Sequence, residues 1–282
     1  MEIIHLHVKI ISRKKGKSAI AAAAYRSNEK IRNERNGVVY DFTKKHDVVY
    51  KQILLPANAP SAFYDRENLW NAVEKIEKSQ NSRTAREVEV SLPIELARTE
   101  QIQLIVAFVQ ENFANHGMCA DICVHDKGNG NPHAHVMLTT RSLDENGKWI
   151  KKQIKNYIFD KDGKKIYDPI KKQYKCAKSL KFNDWDNMGN VEKWRQEWTK
   201  MCNLEFKRKG LEKIITHESY ALQDIDKEPT KHLGPELSTL KKRGIHTDRI
   251  NENLDIMKRN KEREEQKRRR EYERTQSIAR WH

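Results

Sequence analysis

Polar and apolar positions alternate with a period of two in the stretches that organise this chain. Residues 85–92, AREVEVSL, set Val88, Val90 and Leu92 on one side and Glu87 and Glu89 on the other, as in a strand with one buried face. Residues 2–12, EIIHLHVKIIS, alternate well enough for another strand. Residues 121–141, DICVHDKGNGNPHAHVMLTTR, read as two strands joined by a seven-residue Gly/Asn/Pro loop at 126–132. Helical spacing governs 19–35, which follows the basic turn RKKGKS with Ser18 as N-cap and is broken at Asn36-Gly37. It also governs 66–79, through Leu69, Trp70, Val73 and Ile76, and 99–115, which ends at Gly117. Val191, Trp194, Trp198, Met201 and Cys202 share a helical face and read as core packing. Short β-like pieces at 38–42 and 47–55 lead into a loop marked by Pro56 and Pro60.

The order strand, helix, strands, helix, strand, helix, hairpin predicts an α+β fold. We expect a central, largely antiparallel five-stranded sheet with helices packed on it, and strand 2–12 at its centre. A chain of 282 residues holds one large domain or a core domain with an appendage. The expected division is a core over 1–235, with a lysine-rich hairpin insertion at about 148–181, and a charged helical tail or linker over 236–282. Residues 258–274 carry nine Lys/Arg and five Glu with almost no apolar face, which predicts an exposed helix.

Alternation also aims side chains. His133 and His135 point to one face, and a hairpin without register shift sets His125 opposite His133, so three imidazoles converge. The other face, Ile122, Val124, Ala134, Val136 and Leu138, is expected to pack against helices. Three scattered surface histidines are the bland alternative, but a two-apart pair with a third across a tight hairpin is a far rarer coincidence. We read a metal platform. All-imidazole ligation suits Zn, Mn, Ni, Cu or Fe, so the ligands do not fix the metal.

Charge narrows the partner. A net charge of +15 and a pI near 9.5 favour a polyanion, nucleic acid before anionic membrane. The apolar runs at 19–25 and 104–109 fall far short of the ~20 residues of a membrane span. MEIIHLHVKI has neither the basic start nor the unbroken apolar run of a signal peptide. No membrane insertion is expected. Cys119, Cys123, Cys176 and Cys202 form no CxxC pair, which points to a reducing cytoplasm. Between 148 and 181 stand twelve lysines and three aspartates, interspersed with Tyr157, Phe159, Tyr167 and Tyr174. This reads as a strand-tracking nucleic-acid surface with Lys151, Lys152 and Lys155 among its contacts, against a merely solvated basic hairpin.

A metal beside nucleic acid implies phosphoryl transfer, and Tyr25 is the candidate nucleophile. The small residues 21–24 before it let a helix backbone approach the sheet. Arg13, Lys14, Lys15, Lys17 and Arg26 are candidate phosphate contacts, and the nearby cations would favour a phenolate, whose free pKa is ~10. The competing reading, a core aromatic closing an alanine-rich packing face, stands level with it on residue physics alone.

The segments HLHVKIISRKKGKSAIAAAAYRS, DFTKKHDVVYKQILLPANAP, AREVEVSLP and HDKGNGNPHAHVMLTTR together resemble the MobA/MobL family of plasmid mobilisation relaxases. That family lies within the HUH endonuclease superfamily, named for two histidines flanking a hydrophobic residue, here His133-Ala134-His135. The resemblance covers about residues 1–145, with weaker echoes at 194–210 and 219–234. It implies the HUH relaxase fold and a single-tyrosine transesterase that nicks one strand at a transfer origin, in the bacterial cytoplasm. Carried over by position, Tyr25 matches the nucleophile and His125, His133 and His135 the metal triad. Glu87 matches an acidic position that orients a histidine or helps take the tyrosine proton, and His5 a position with no assigned duty. Mn²⁺ or Mg²⁺ is the implied cofactor. The implied partners are origin-of-transfer DNA, as a single-stranded nick region with an adjacent hairpin, relaxosome accessory proteins and a type IV coupling protein. Four rivals are a rolling-circle replication initiator, a hydrolytic nuclease, a DNA-binding module without chemistry, and a structural Cys-His₃ zinc site. The last would use Cys123, one pleat step from His125, with Cys119 too distant to join.

Overall fold

The computed structural model describes residues 2–177, 180–231 and 233–279. Its main sheet has five strands: β1 Leu6–Ser12, β2 Val48–Leu54, β3 Arg83–Ser91, β4 Ala120–His125 and β5 His133–Leu138. They lie side by side in the order β1-β3-β5-β4-β2, each neighbouring pair antiparallel. The expected α+β class is observed. The expected central place of strand 2–12 is not: the run splits after Ile3, and β1 is an edge strand. Glu2–Ile3 pairs instead, in parallel, with Ile215–Thr216. Alternation tells which face of a strand is buried but says nothing of its neighbours. Lys9, half-exposed on β1, fits the edge position because a charge there discourages pairing with another sheet. The centre goes to β5, the second strand of the histidine hairpin.

Helices cover both faces. Four pack on the sheet: α1 Ala19–Ser27, α2 Arg66–Ile76, α3 Arg98–Asn112 and α4 Gly189–Arg208. On one side Ile20, Ala23 and Ala24 of α1 and Leu69, Trp70 and Val73 of α2 bury against Ile11, Ala85 and Met137. On the other, Ile105 and Phe108 of α3 and Trp194, Trp198 and Phe206 of α4 close over Val88, Val90, Ile122, Val124, Ala134, Val136 and Leu138. The apolar face of the histidine hairpin is thus buried as expected, and the aromatic face of α4 is core. Trp198 meets Phe108 edge-on at 5.1 Å and Trp194 meets Phe113 at 5.0 Å. Truncating such a residue to alanine costs about 3–5 kcal/mol.

The first helix is shorter than its pattern. Asn28 adopts φ 55°, and its N–H bonds to the Ala24 carbonyl, which ends α1 at Ser27 instead of near 35. Lys30–Arg32 then pairs with Val39–Asp41 as a hairpin. At the other end Ser18 caps the helix as expected, and Glu74 of α2 accepts from Ala19 N–H at 3.0 Å.

The lysine-rich insertion is built from two-residue strands, Gln153–Ile154 with Leu180–Lys181 and Tyr167–Asp168 with Gln173–Tyr174. The chain divides into compact units Met1–Thr216 and His217–His282. The second unit holds α5 Gly234–Lys242 and α6 Asp248–Ala279. Asn253 and Asn260 of α6 each donate to and accept from the backbone, of Lys231 and Glu228 respectively. The charged stretch expected to be an exposed helix lies in α6. Among the described residues no helix is long and apolar enough to cross a membrane.

Candidate active site

β4 and β5 pair with His125 opposite His133 and Cys123 opposite His135, so the strand register assembles the triad. The ring centroids lie 5.6, 4.9 and 5.0 Å apart, and one nitrogen of each ring lies within 4.8 Å of the others. Hydrogen bonds fix the tautomer that each ring adopts when neutral. His133 Nδ1 is 2.9 Å from the Asn131 carbonyl, and His135 Nδ1 is 2.7 Å from Glu87 Oε1. Each of those nitrogens must carry a proton, which leaves the Nε2 lone pair available. His125 differs. Its Nε2 donates to the Arg26 carbonyl at 2.7 Å, so its lone pair is on Nδ1, 3.6 Å from Asp47. Burial, then the neighbouring His135, push its pKa down to about 4 against the pull of the Arg26 carbonyl and Asp47. That imidazole is neutral at pH 7. Three imidazoles with one nitrogen each so close together are a donor set that fits a divalent transition metal.

Glu87 ties the triad to α1. Arg26 grips its carboxylate with two bonds of 2.6 Å, and also donates to the Ala22 carbonyl at 2.9 Å. Burial alone raises the Glu87 pKa. Hydrogen bonds from His135 and Arg26, with the Arg26 charge, outweigh it and hold the carboxyl well below the usual range. Asp47, in the loop before β2, is likewise lowered to about 2: burial opposes, and the Asn28 hydrogen bond and the Lys45 charge prevail.

Tyr25 lies on the last turn of α1, beside Arg26, whose carbonyl touches His125. Tyr25 is 49% exposed, which removes the core-aromatic reading; Ala23 and Ala24 take the buried face. The Lys45 ammonium sits 3.6 Å from its ring centroid, and Phe42 meets it edge-on at 5.2 Å.

The remaining candidates divide. The Arg13 guanidinium is committed inside the protein, to Glu74 and to the carbonyls of Glu74, Glu77 and Ser79, and its side chain is 9% exposed. Lys14, Lys15 and Lys17 are exposed on the turn before α1. Tyr25 lies at the far end of that helix, roughly 10 Å along its axis. Lys151, Lys152 and Lys155 line an open cleft of about 760 Å³ with Arg141, Tyr157 and Asn183. Lys152 is held there by Glu77 at 2.9 Å and the Arg83 carbonyl at 2.8 Å. The insertion's aromatics face one another: Tyr174 packs edge-on against Tyr167 at 5.4 Å and Tyr157 at 6.2 Å, and Lys165 caps Tyr157 at 4.2 Å. His5 stacks with His7 at 6.4 Å. Cys123 is buried, with its thiol toward Asp121 and its pKa pushed well up by burial, so it is not poised as the fourth ligand of a Cys-His₃ zinc site. Among the described residues it joins no metal-competent group with the histidines. Three neighbours of the site went unnoticed in the sequence: Phe42, Lys45 and Asp47. Their only signal was a dense DFTKKHD stretch with nothing to tie it to Tyr25.

The model of the MobA/MobL family matches residues 17–243 of this chain. The chain belongs to the MobA/MobL family. It is 32% identical over 274 residues to a probable mobilization protein MobA of Bifidobacterium longum, covering 92% of this chain and 48% of that protein. It is 30% identical over 268 residues to the mobilization protein MobL of Acidithiobacillus ferridurans, covering 86% and 65%. With the conjugal transfer protein TraA of Agrobacterium fabrum it shares 34% over 244 residues, 83% of this chain and 21% of TraA. The chain therefore spans between a fifth and two thirds of these relatives' lengths. A solved structure described as "Molecular Basis of Vancomycin Resistance Transfer in Staphylococcus aureus" superposes with a TM-score of 0.66 at 30% identity, over 77% of this chain and all of that one.

Proposed function

We propose that this chain is a plasmid mobilisation relaxase that nicks one DNA strand at a transfer origin by tyrosine transesterification. The observation that carries the reading is the position of Arg26. Its carbonyl meets His125 and its guanidinium holds Glu87, so the helix end bearing Tyr25 is brought to the histidine triad.

The Tyr25 hydroxyl oxygen attacks the scissile phosphorus in line, a P–O bond to tyrosine forms, and the bond to the 3′ oxygen breaks. The phenol proton passes to solvent and the departing oxygen takes one up, leaving a free 3′-hydroxyl and a 5′-phosphotyrosyl bond. One phosphodiester replaces another, so the step reverses to reseal the strand without ATP. Glu87 is a poor base because its carboxylate is held ionised between Arg26 and His135; its part is to fix the His135 tautomer. His125, His133 and His135 would hold the cation, and Mn²⁺ or Mg²⁺ bound there would supply positive charge to offset the negative charge that grows on the phosphate oxygens. Origin-of-transfer DNA is the substrate, accessory relaxosome proteins and a coupling protein are the partners, and the bacterial cytoplasm is the site of action.

The test is incubation with a labelled oligonucleotide carrying the host plasmid's transfer origin and Mn²⁺, followed by denaturing electrophoresis. A covalent protein–DNA band that disappears in Tyr25→Phe is expected. Cleavage without a protein-linked 5′ end would make the enzyme a hydrolytic nuclease and sink this reading.

A further inference from the structure

We infer that the loop 42–47 is a clamp on the nucleophile, with Lys45 as its positioning residue. The inference rests on the reading of Tyr25 as the attacking group and adds how its ring is held. A half-exposed tyrosine on the last turn of a helix is free to change rotamer on the picosecond-to-nanosecond scale. In-line attack needs the opposite, a hydroxyl kept within a narrow range of position and angle.

The loop supplies that restraint from outside the helix. Lys45 Nζ lies over the Tyr25 ring at 3.6 Å from its centroid and donates to the carbonyl of the same residue at 3.1 Å. Phe42 meets the ring edge-on. An unplaced surface lysine extends into water, but only 25% of this side chain is exposed. A partly desolvated ammonium grips an aromatic face more strongly than a solvated one.

The clamp is itself anchored. Asp47 Oδ1 lies 3.6 Å from Lys45 Nζ and accepts from Asn28 Nδ2 at 3.0 Å, and Asn28 is the residue that ends α1. The Asp47 carbonyl accepts from Asp126 N–H at 2.9 Å, joining the loop to the histidine hairpin. At its start the loop turns around Asp41, whose carboxylate accepts from the Thr43 N–H and hydroxyl. Ring, helix end and triad are thereby referenced to one short segment.

Two readouts test this. The first is the single-turnover rate of covalent adduct formation at saturating oligonucleotide, alongside affinity by fluorescence anisotropy. Lys45→Met should slow the covalent step about tenfold or more while leaving affinity nearly intact, and Lys45→Arg, which keeps the cation over the ring, should recover most of the rate. Unchanged adduct formation in Lys45→Met overturns the clamp. A loss confined to affinity overturns it as well, by making Lys45 a phosphate contact. The second readout needs no activity: 3-fluorotyrosine placed at position 25 of the DNA-free protein, followed by ¹⁹F NMR. Lys45→Met should shift and narrow the resonance, and an unmoved signal refutes the clamp even if the strand-transfer reading fails. Failure of that reading shows separately, as a wild-type protein that forms no covalent adduct while its fluorotyrosine signal still responds to Lys45.

Discussion

The histidine hairpin and the lysine-rich segment each carry several copies of one residue type on short antiparallel strands, and they turn out very different. β4 and β5 are six-residue strands at the heart of the sheet, and each triad ring keeps a defined partner. The insertion has two-residue strands, exposed lysines, and tyrosines packed on one another. In the first, the strand period converts sequence spacing into spatial convergence. In the second, composition does not tell which lysine is held: Glu77 and the Arg83 carbonyl hold Lys152, while Lys151 and Lys155 are exposed. Alternation is geometry; composition is only potential.

Breaking the hairpin side of the comparison should have the larger effects. Tyr25→Phe removes one oxygen, so the covalent adduct should vanish while oligonucleotide affinity, measured by anisotropy, stays near wild type. His133→Ala should weaken Mn²⁺ binding by calorimetry and slow nicking, with partial recovery at higher Mn²⁺. Glu87→Gln keeps the shape but presents an amide to His135 and Arg26; metal affinity should fall about 10–100-fold, the usual cost of losing an outer partner. If Glu87→Gln binds Mn²⁺ as tightly as wild type, the tautomer argument is wrong. The insertion should respond gently. Lys151→Gln with Lys155→Gln should lower DNA affinity severalfold and reduce the slope of log affinity against log salt by about 2, with Mn²⁺ binding unaltered. A drop in metal affinity in that variant would erase the distinction between the two regions.

Much of the site was legible because it follows from period-two side-chain direction. The facing of His125 and His133, the turning of Glu87 away from Val88, and the burial of Ile122, Val124, Ala134, Val136 and Leu138 needed no tertiary information. What escaped depends on partners far apart in sequence. The edge position of β1 is set by long-range pairing: β3 takes β1 on one side and β5 on the other. The end of α1 is decided by Asn28, whose left-handed backbone and bond to Asp47 override the helical pattern running on to residue 35. Arg13 and Arg26 looked alike as cations, yet each found a buried carboxylate, Glu74 and Glu87, more than sixty residues away. A guanidinium's fate is settled by the nearest acid in space, which local sequence does not contain.

The Arg26–Glu87–His135 chain bears on how stiff the site is. A planar guanidinium with both forks engaged resists sliding or twisting, and a lysine in its place would supply a single point of attachment. Helix α1, which bears Tyr25, is therefore tied through Glu87 of β3 to His135 of β5. A ligand reaching the triad would meet a helix end whose spacing from His135 is already set.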